Sequence, residues 1–408
     1  MSEPVEGVHS ERVRSDRRTA LLTSRALRPG ADATGRGARA AFLEQLPDLK
    51  ILAGDYVLVR LYLLGLDAYA ANHSYGGNVT GPLLSWDAWH YLAISKAGYP
   101  GTPPHLGGLL TFSNAAFEPA FPAMIRLVTF LGVPFISAGL VVSILGGAGA
   151  TYFVWRIAQG IASPVVSRDA AILFMVLPGQ SVAWGLLYSE GLGIALAAAC
   201  LYFFSRGRYL AAGILGALAT LTSPMALCLV VPMAWALLVC LWRRRRSRAW
   251  IALLLTPLGF LSYAAFLSLR YHDALYWLHL QRQAWGESFD YGTSLIRLLH
   301  HWTSVAYQGP AYLEWIAVIC VLGMLAAAWR AKLPVYLSLY SVAVLLLLFG
   351  TNSLGFKPRF LVWAFPLVIA VSKSLTRPWR YAVIGASALA LAPLFIAYTT
   401  MGNSVAQP

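Results

Sequence analysis

The residues best suited to chemistry are Trp86-Asp87-Ala88-Trp89-His90-Tyr91, followed by Gly98-Tyr99-Pro100. Asp87, His90 and Tyr91 stand at i, i+3 and i+4, so a short helix shows all three on one face. A carboxylate beside an imidazole at a membrane surface is unfavourable to keep without a task, and acting as general base is one such task. The plainer alternative is an interfacial helix with aromatic anchors and an incidental acid. The stretch 85–97 reads as amphipathic, with Trp86, Trp89 and Leu92 toward the interface and Asp87, His90 and Tyr91 toward a cavity.

Four further constellations carry polar groups in unusual company. In Asn114-Ala115-Ala116-Phe117-Glu118-Pro119-Ala120-Phe121-Pro122 the prolines fix the backbone beside Glu118, which either joins a site or complements a helix dipole. Tyr188-Ser189-Glu190 sets a carboxylate between two apolar runs; it binds a sugar hydroxyl or a cation, or it pairs with Arg359 or a histidine. The segment 271–310 carries Gln281, Gln283, Trp285, His300, His301 and Trp302, aromatic faces with amide and imidazole groups that suit carbohydrate or form an interfacial belt. Gly355-Phe356-Lys357-Pro358-Arg359-Phe360 offers a fork and a point charge for phosphate, or an anchor to lipid headgroups. His300-His301 lacks a third ligand at metal spacing, so neither a metal nor another cofactor is expected.

These residues must be positioned by membrane helices. The 408-residue chain is 58% hydrophobic and 12% charged, against about 25% charged for a soluble domain. Mean hydropathy is +0.62. The net charge of +14 comes largely from short basic clusters between apolar runs, which is the pattern of cytoplasmic loops rather than of nucleic-acid binding. Arg outnumbers Lys 26 to 5, a bias that favours a bacterial source. The four cysteines lie in or beside apolar runs without metal-type spacing, and they read as packing residues.

Spans are predicted near 50–70, 135–158, 169–187, 188–205, 209–222, 225–242, 250–270, 311–329, 334–350, 359–373 and 380–400. Residues 1–48 read as a disordered cytoplasmic tail, 49–400 as the membrane domain and 401–408 as a C-terminal tail. The basic clusters at Arg156/Arg168, Arg206/Arg208, Arg243–Arg248, Arg330/Lys332 and Lys373/Arg380 put the N-terminus in the cytoplasm, provided 116–131 does not cross. The first outer loop is then 71–134 and the second large one 271–310. Seven of the eight histidines and most isolated acids fall on that outer face, apart from the anchoring charge.

Taken in order, several of these pieces resemble the GPI mannosyltransferase 2 (PIG-V type) family and its bacterial relatives, members of the GT-C glycosyltransferases. The resemblance spans about 50–375. It rests on Trp86–Tyr91 with Ala97-Gly98-Tyr99, on Ala116–Pro122, on Tyr188-Ser189-Glu190 and on Ser205-Arg206-Gly207-Arg208. It continues through Leu218–Pro224, Asp273-Ala274-Leu275-Tyr276-Trp277 leading to Gln281 and Trp285, and Pro358-Arg359-Phe360 leading to Phe365-Pro366. Glu118 and Ser223 depart from it, standing where the family usually has an aromatic residue and often an Arg.

The resemblance implies an all-α GT-C bundle, and the composition bias makes the bacterial plasma membrane its expected location. It also implies mannosyl transfer from a polyprenyl-phosphate-linked donor to a lipid-linked acceptor on the extracytoplasmic face, with Asp87 as the catalytic carboxylate. The expected partners are the donor, the acceptor and membrane lipids, with no nucleic acid. On this reading the transfer inverts and Arg359 with Lys357 offsets charge on the departing lipid phosphate. His90 and Tyr91 position the acceptor or tune Asp87, and Glu190, Gln281 and Trp285 contact sugar. Glu118 raises the basicity of Asp87 if it lies within about 6 Å. A transporter or flippase competes, favoured by Asp55, Arg60 and Asp67 in the first span, as does a non-catalytic scaffold.

Overall fold

The computed structural model describes residues 35–103, 105–106, 109–300, 311–352 and 357–400. The expected C-terminal tail, most of the N-terminal tail, His301, Trp302, Gly355 and Phe356 lie outside them. The chain divides into two units, 1–49 and 50–408. The first described element, helix Gly35–Ser74, begins well before the expected boundary at 48. Residues Ala38–Leu46 are rich in strong helix formers, which outweighs the low hydropathy that suggested a tail.

Among the described residues the second unit is helical apart from a two-stranded hairpin, His105–Leu106 with Leu109–Leu110, and an isolated bridge between Phe289 and Thr351. Among the described residues, Phe135–Gln159, Pro224–Trp242, Ala249–Tyr271 and Arg377–Thr400 are long and apolar enough to cross a membrane. Shorter apolar helices include Glu190–Ser205, Tyr209–Thr220 and Val335–Phe349. Together they make this a multi-pass membrane protein.

The eleven predicted spans are not eleven continuous helices. The expected span 169–187 is helix Pro164–Met175, a short turn Gln180–Ala183 and irregular chain to Ser189. Pro178-Gly179 ends the first piece, because proline has no N–H to donate and glycine resists helix. The segment 359–373 is likewise split, into Pro358–Leu361, a 3-10 turn Val362–Ala364 and Pro366–Ser374. Irregular backbone at membrane depth persists where protein covers it, and residues 179–190 are buried throughout.

Helix Phe135–Gln159 packs closely against Glu190–Ser205. A Cβ on Gly146 would sit 2.6 Å from the Leu192 nitrogen, so only glycine permits the approach. This contact fixes the start of the second helix, and with it Glu190.

Of the polar residues of the first span, Asp55 and Arg60 have structural partners, while Asp67 is buried with its Oδ1 unpartnered among the described residues. Arg168 makes a two-pronged pair with Asp55, 2.8 Å to each oxygen, and Arg60 donates to the Trp184 carbonyl at 3.0 Å. That removes two of the three residues that favoured a carrier.

Candidate active site

Residues 71–134 are not a free excursion. Tyr75 donates to the Thr399 carbonyl at 2.7 Å, the Trp86 indole donates to the Tyr398 carbonyl at 2.7 Å, and the Leu187 amide donates to Leu83 at 3.1 Å. The far end of the last helix thus pins the approach to Asp87. Trp86 lies in the left-handed region at φ 57°, an uncommon conformation for a bulky residue and one that clusters at functional turns.

Asp87 stands at the N-cap of helix Ala88–Ala97, yet its carboxylate caps nothing. Instead Oδ2 accepts from the Arg359 guanidinium at 2.8 Å, with the Asp87 side chain 21% exposed and that of Arg359 10%. The Asp87 amide donates to the Tyr188 hydroxyl at 3.0 Å, and the Tyr91 hydroxyl lies 3.0 Å from Ser189 Oγ. Ser189 is the N-cap of helix Glu190–Ser205. Two helix N-termini therefore meet here, a field that favours negative charge.

Arg359 reaches this point because Gly179 lets residue 358 lie against it; a Cβ there would collide with the Pro358 carbonyl. The guanidinium covers the Tyr188 ring at 4.9 Å and the Phe360 ring at 4.5 Å, while its Nε lies 3.9 Å from Glu190 Oε1. One cation thus faces two carboxylates. Among the described residues, Arg359 Nε and Glu190 Oε2 are buried without a hydrogen-bond partner. The site can accept an added donor at Glu190 and an added acceptor at Arg359.

The remaining candidates divide. His90 Nδ1 lies 2.8 Å from Asn114 Oδ1, and its ring is sandwiched between Trp89 at 3.7 Å and Phe117 at 4.6 Å. Burial holds His90 below the ordinary imidazole range, partly offset by the Asn114 bond and the Asp87 charge. Trp285 packs edge-on against Phe112 and Phe117 at 4.8 and 5.6 Å. Gln281 donates to the Ala116 carbonyl at 3.3 Å, so its amide supports the loop. Ser223 caps the turn Pro224–Leu229.

Three expectations need correction. Lys357 does not share a target with Arg359 but pairs with Glu287 at 2.8 Å, both side chains nearly buried. The acid beside Asp87 across the shared guanidinium is Glu190; Glu118 lies instead with Trp277, Tyr99 and Tyr263, where burial pushes its carboxyl up to about 8. Helix Ala88–Ala97 does not divide as expected: Leu92 is buried together with Ala88, His90, Tyr91, Ile94 and Ser95, and Trp89, Lys96 and Ala97 form its exposed side. Aromatic packing from Phe117, Phe121 and Tyr188 encloses the faces that were expected to meet lipid or water.

Sequence reasoning missed Asn114 as a partner, Gly179, Tyr398 and Arg126, which donates to the Ser95 and Lys96 carbonyls at 3.2 Å and closes the helix end. Only Asn114 and Arg126 carried a signal, as polar residues inside the quoted loop. Among the described residues no three His, Cys, Asp or Glu side chains gather as a metal site.

No family model matches the chain, and no curated protein sequence matches it. Its likeness is to solved structures. ArnT from Cupriavidus metallidurans bound to undecaprenyl phosphate superposes with TM-score 0.52 at 14% identity, covering 80% of this chain and 61% of that one. The apo state of the same protein gives 0.52 at 16% identity, covering 82% and 62%. The Archaeoglobus fulgidus oligosaccharyltransferase tethered with an acceptor peptide gives 0.47 at 12% identity, covering 88% and 56%. The chain spans about three fifths of the length of ArnT. The shared property is the fold: this chain has a helical architecture like that of ArnT.

Proposed function

We propose that the protein transfers a glycosyl group, mannosyl by its PIG-V-like sequence pattern, from a polyprenyl-phosphate-linked donor to a lipid-linked acceptor on the extracytoplasmic face. The carrying observation is the Asp87–Arg359 pair at 2.8 Å, part-buried beside the unpartnered oxygen of Glu190. The GT-C-like fold is supporting, since ArnT of that fold binds undecaprenyl phosphate.

In this reading Asp87 Oδ2 takes the proton of the acceptor hydroxyl as its oxygen attacks the anomeric carbon. The new carbon–oxygen bond forms as the bond to the lipid phosphate breaks, and the phosphate leaves with the electron pair. Arg359 stabilises that leaving charge with its Nε and the Nη1 now bonded to Asp87. The phosphate and Asp87 compete for one guanidinium. Donor binding draws Arg359 away and frees Asp87 Oδ2 to take the acceptor proton, so the base is released when the donor is present. Glu190 Oε2 accepts a sugar hydroxyl, while His90, Tyr91 and Trp285 shape the wall. Lys357, Gln281 and Glu118 hold surrounding segments.

The test is turnover by the purified chain in lipid nanodiscs. Radiolabelled polyprenyl-phosphate-mannose and polyprenyl-phosphate-glucose are supplied separately with a membrane lipid extract, and the products are separated by chromatography. Label moving from the mannose donor to a new lipid supports the reading. Label moving only from glucose corrects the sugar, and label that stays on both donors rejects the activity.

A further inference from the structure

Away from the candidate active site, four arginines crowd a groove of about 750 Å³ at the junction of helices Pro224–Trp242 and Ala249–Tyr271. Arg244, Arg245, Arg246 and Arg248 line it and are all exposed. Leu237, Leu241 and Trp250 form its apolar side. Among the described residues no carboxylate pairs with any of the four. The concentration of unpaired charge is therefore not consumed within the fold.

The backbone adds a second, independent observation. Helix Val230–Trp242 ends with the Arg244 amide bonded to the Leu241 carbonyl at 2.9 Å and the Arg245 amide bonded to Cys240 at 2.8 Å. This is the Schellman ending, whose residue after the cap is left-handed and ordinarily glycine. Arg244 occupies it at φ 52°. A topogenic positive charge can sit anywhere in a loop and gives no reason to use this position. A ligand needing a guanidinium at that point does.

We infer that the groove is a binding site for the phosphate of an anionic membrane lipid. The arginines supply forked donors to phosphate oxygens, and Leu237, Leu241 and Trp250 contact the glycerol and upper acyl chain. Two membrane-length helices end there, which puts the groove at headgroup depth. Mixed chemistry, cationic on one side and apolar on the other, fits a lipid better than a free anion.

Native mass spectrometry of the detergent-purified full chain tests this, with phosphatidylglycerol, phosphatidylcholine and inorganic phosphate as probes. Phosphatidylglycerol is expected to be retained over phosphatidylcholine, with affinity falling about fivefold for each arginine removed. Arg244→Gly suits the left-handed position, so it should keep or raise Tm in neutral detergent while losing lipid. The paired Arg245→Ala/Arg246→Ala variant should lose more. Equal retention of the two lipids, full competition by inorganic phosphate, or unchanged phosphatidylglycerol binding in both variants would overturn the assignment.

Discussion

Replacing Arg359 tests how one cation serves both the fold and the proposed reaction. Arg359→Ala leaves Asp87 and Glu190 facing each other without their shared counter-ion. Breaking a buried pair from one side costs about 3–5 kcal/mol. Asp87 retains 21% exposure, and water there lowers the expected loss to about 2–3 kcal/mol. Arg359→Lys keeps the charge but gives up the fork and the flat contacts with Tyr188 and Phe360. Losing one charge-assisted hydrogen bond to the departing phosphate removes about 1.5–3 kcal/mol, or roughly 10- to 150-fold in kcat/KM. The assay pairs thermal unfolding in detergent with turnover of radiolabelled polyprenyl-phosphate-mannose. The alanine variant should lose stability, and adding Glu190→Gln should restore part of it without restoring turnover. A lysine variant as active as the parent, or an alanine variant with unchanged Tm, would refute the reasoning.

Gly179→Ala should act at a distance, because its methyl collides with the Pro358 carbonyl; about 1–3 kcal/mol of stability and most turnover should be lost, read by Tm and donor turnover. The Glu118 carboxyl is raised by burial from 4.5 to about 8, so its neutral form is favoured in the folded protein. Stability should fall as pH rises from about 5 to 8 and then level, and Glu118→Gln should flatten that slope in a Tm-against-pH series. Lys357→Met removes one partner of the pair with Glu287 and should raise hydrogen exchange across 286–291, whereas Lys357→Met/Glu287→Gln should recover protection.

The chemistry was partly legible in the chain and its convergence was not. Asp87, Glu190 and Arg359 each stood out as charges at the ends of apolar runs, yet Asp87 and Arg359 are 272 positions apart. Spacing carries no information about such a meeting. The meeting depends on Gly179, which hydropathy absorbed into a supposed span at 169–187. A window average tolerates one Pro-Gly pair, whereas a helix does not. The same blindness placed Glu118 beside Asp87, since proximity in sequence says little about which of two acids a fold brings to a shared cation. Lys357 and Arg359 were read as a pair because they are two residues apart; Lys357 is the extended N-cap whereas Arg359 lies inside the helical turn Pro358–Leu361, so their side chains diverge and the two end on different carboxylates. The helical class was legible because composition and hydropathy report it directly. The tether from Tyr398 and Thr399 was not, since those are ordinary residues in an apolar helix.

The most direct measurement is single-turnover transfer by Asp87→Asn, which preserves the size of the side chain and one oxygen for Arg359 but cannot take a proton. With Tm near that of the parent and donor still bound, transfer should fall about 10²- to 10⁴-fold. A folded, donor-binding Asp87→Asn protein that transfers at the parental rate would contradict the account.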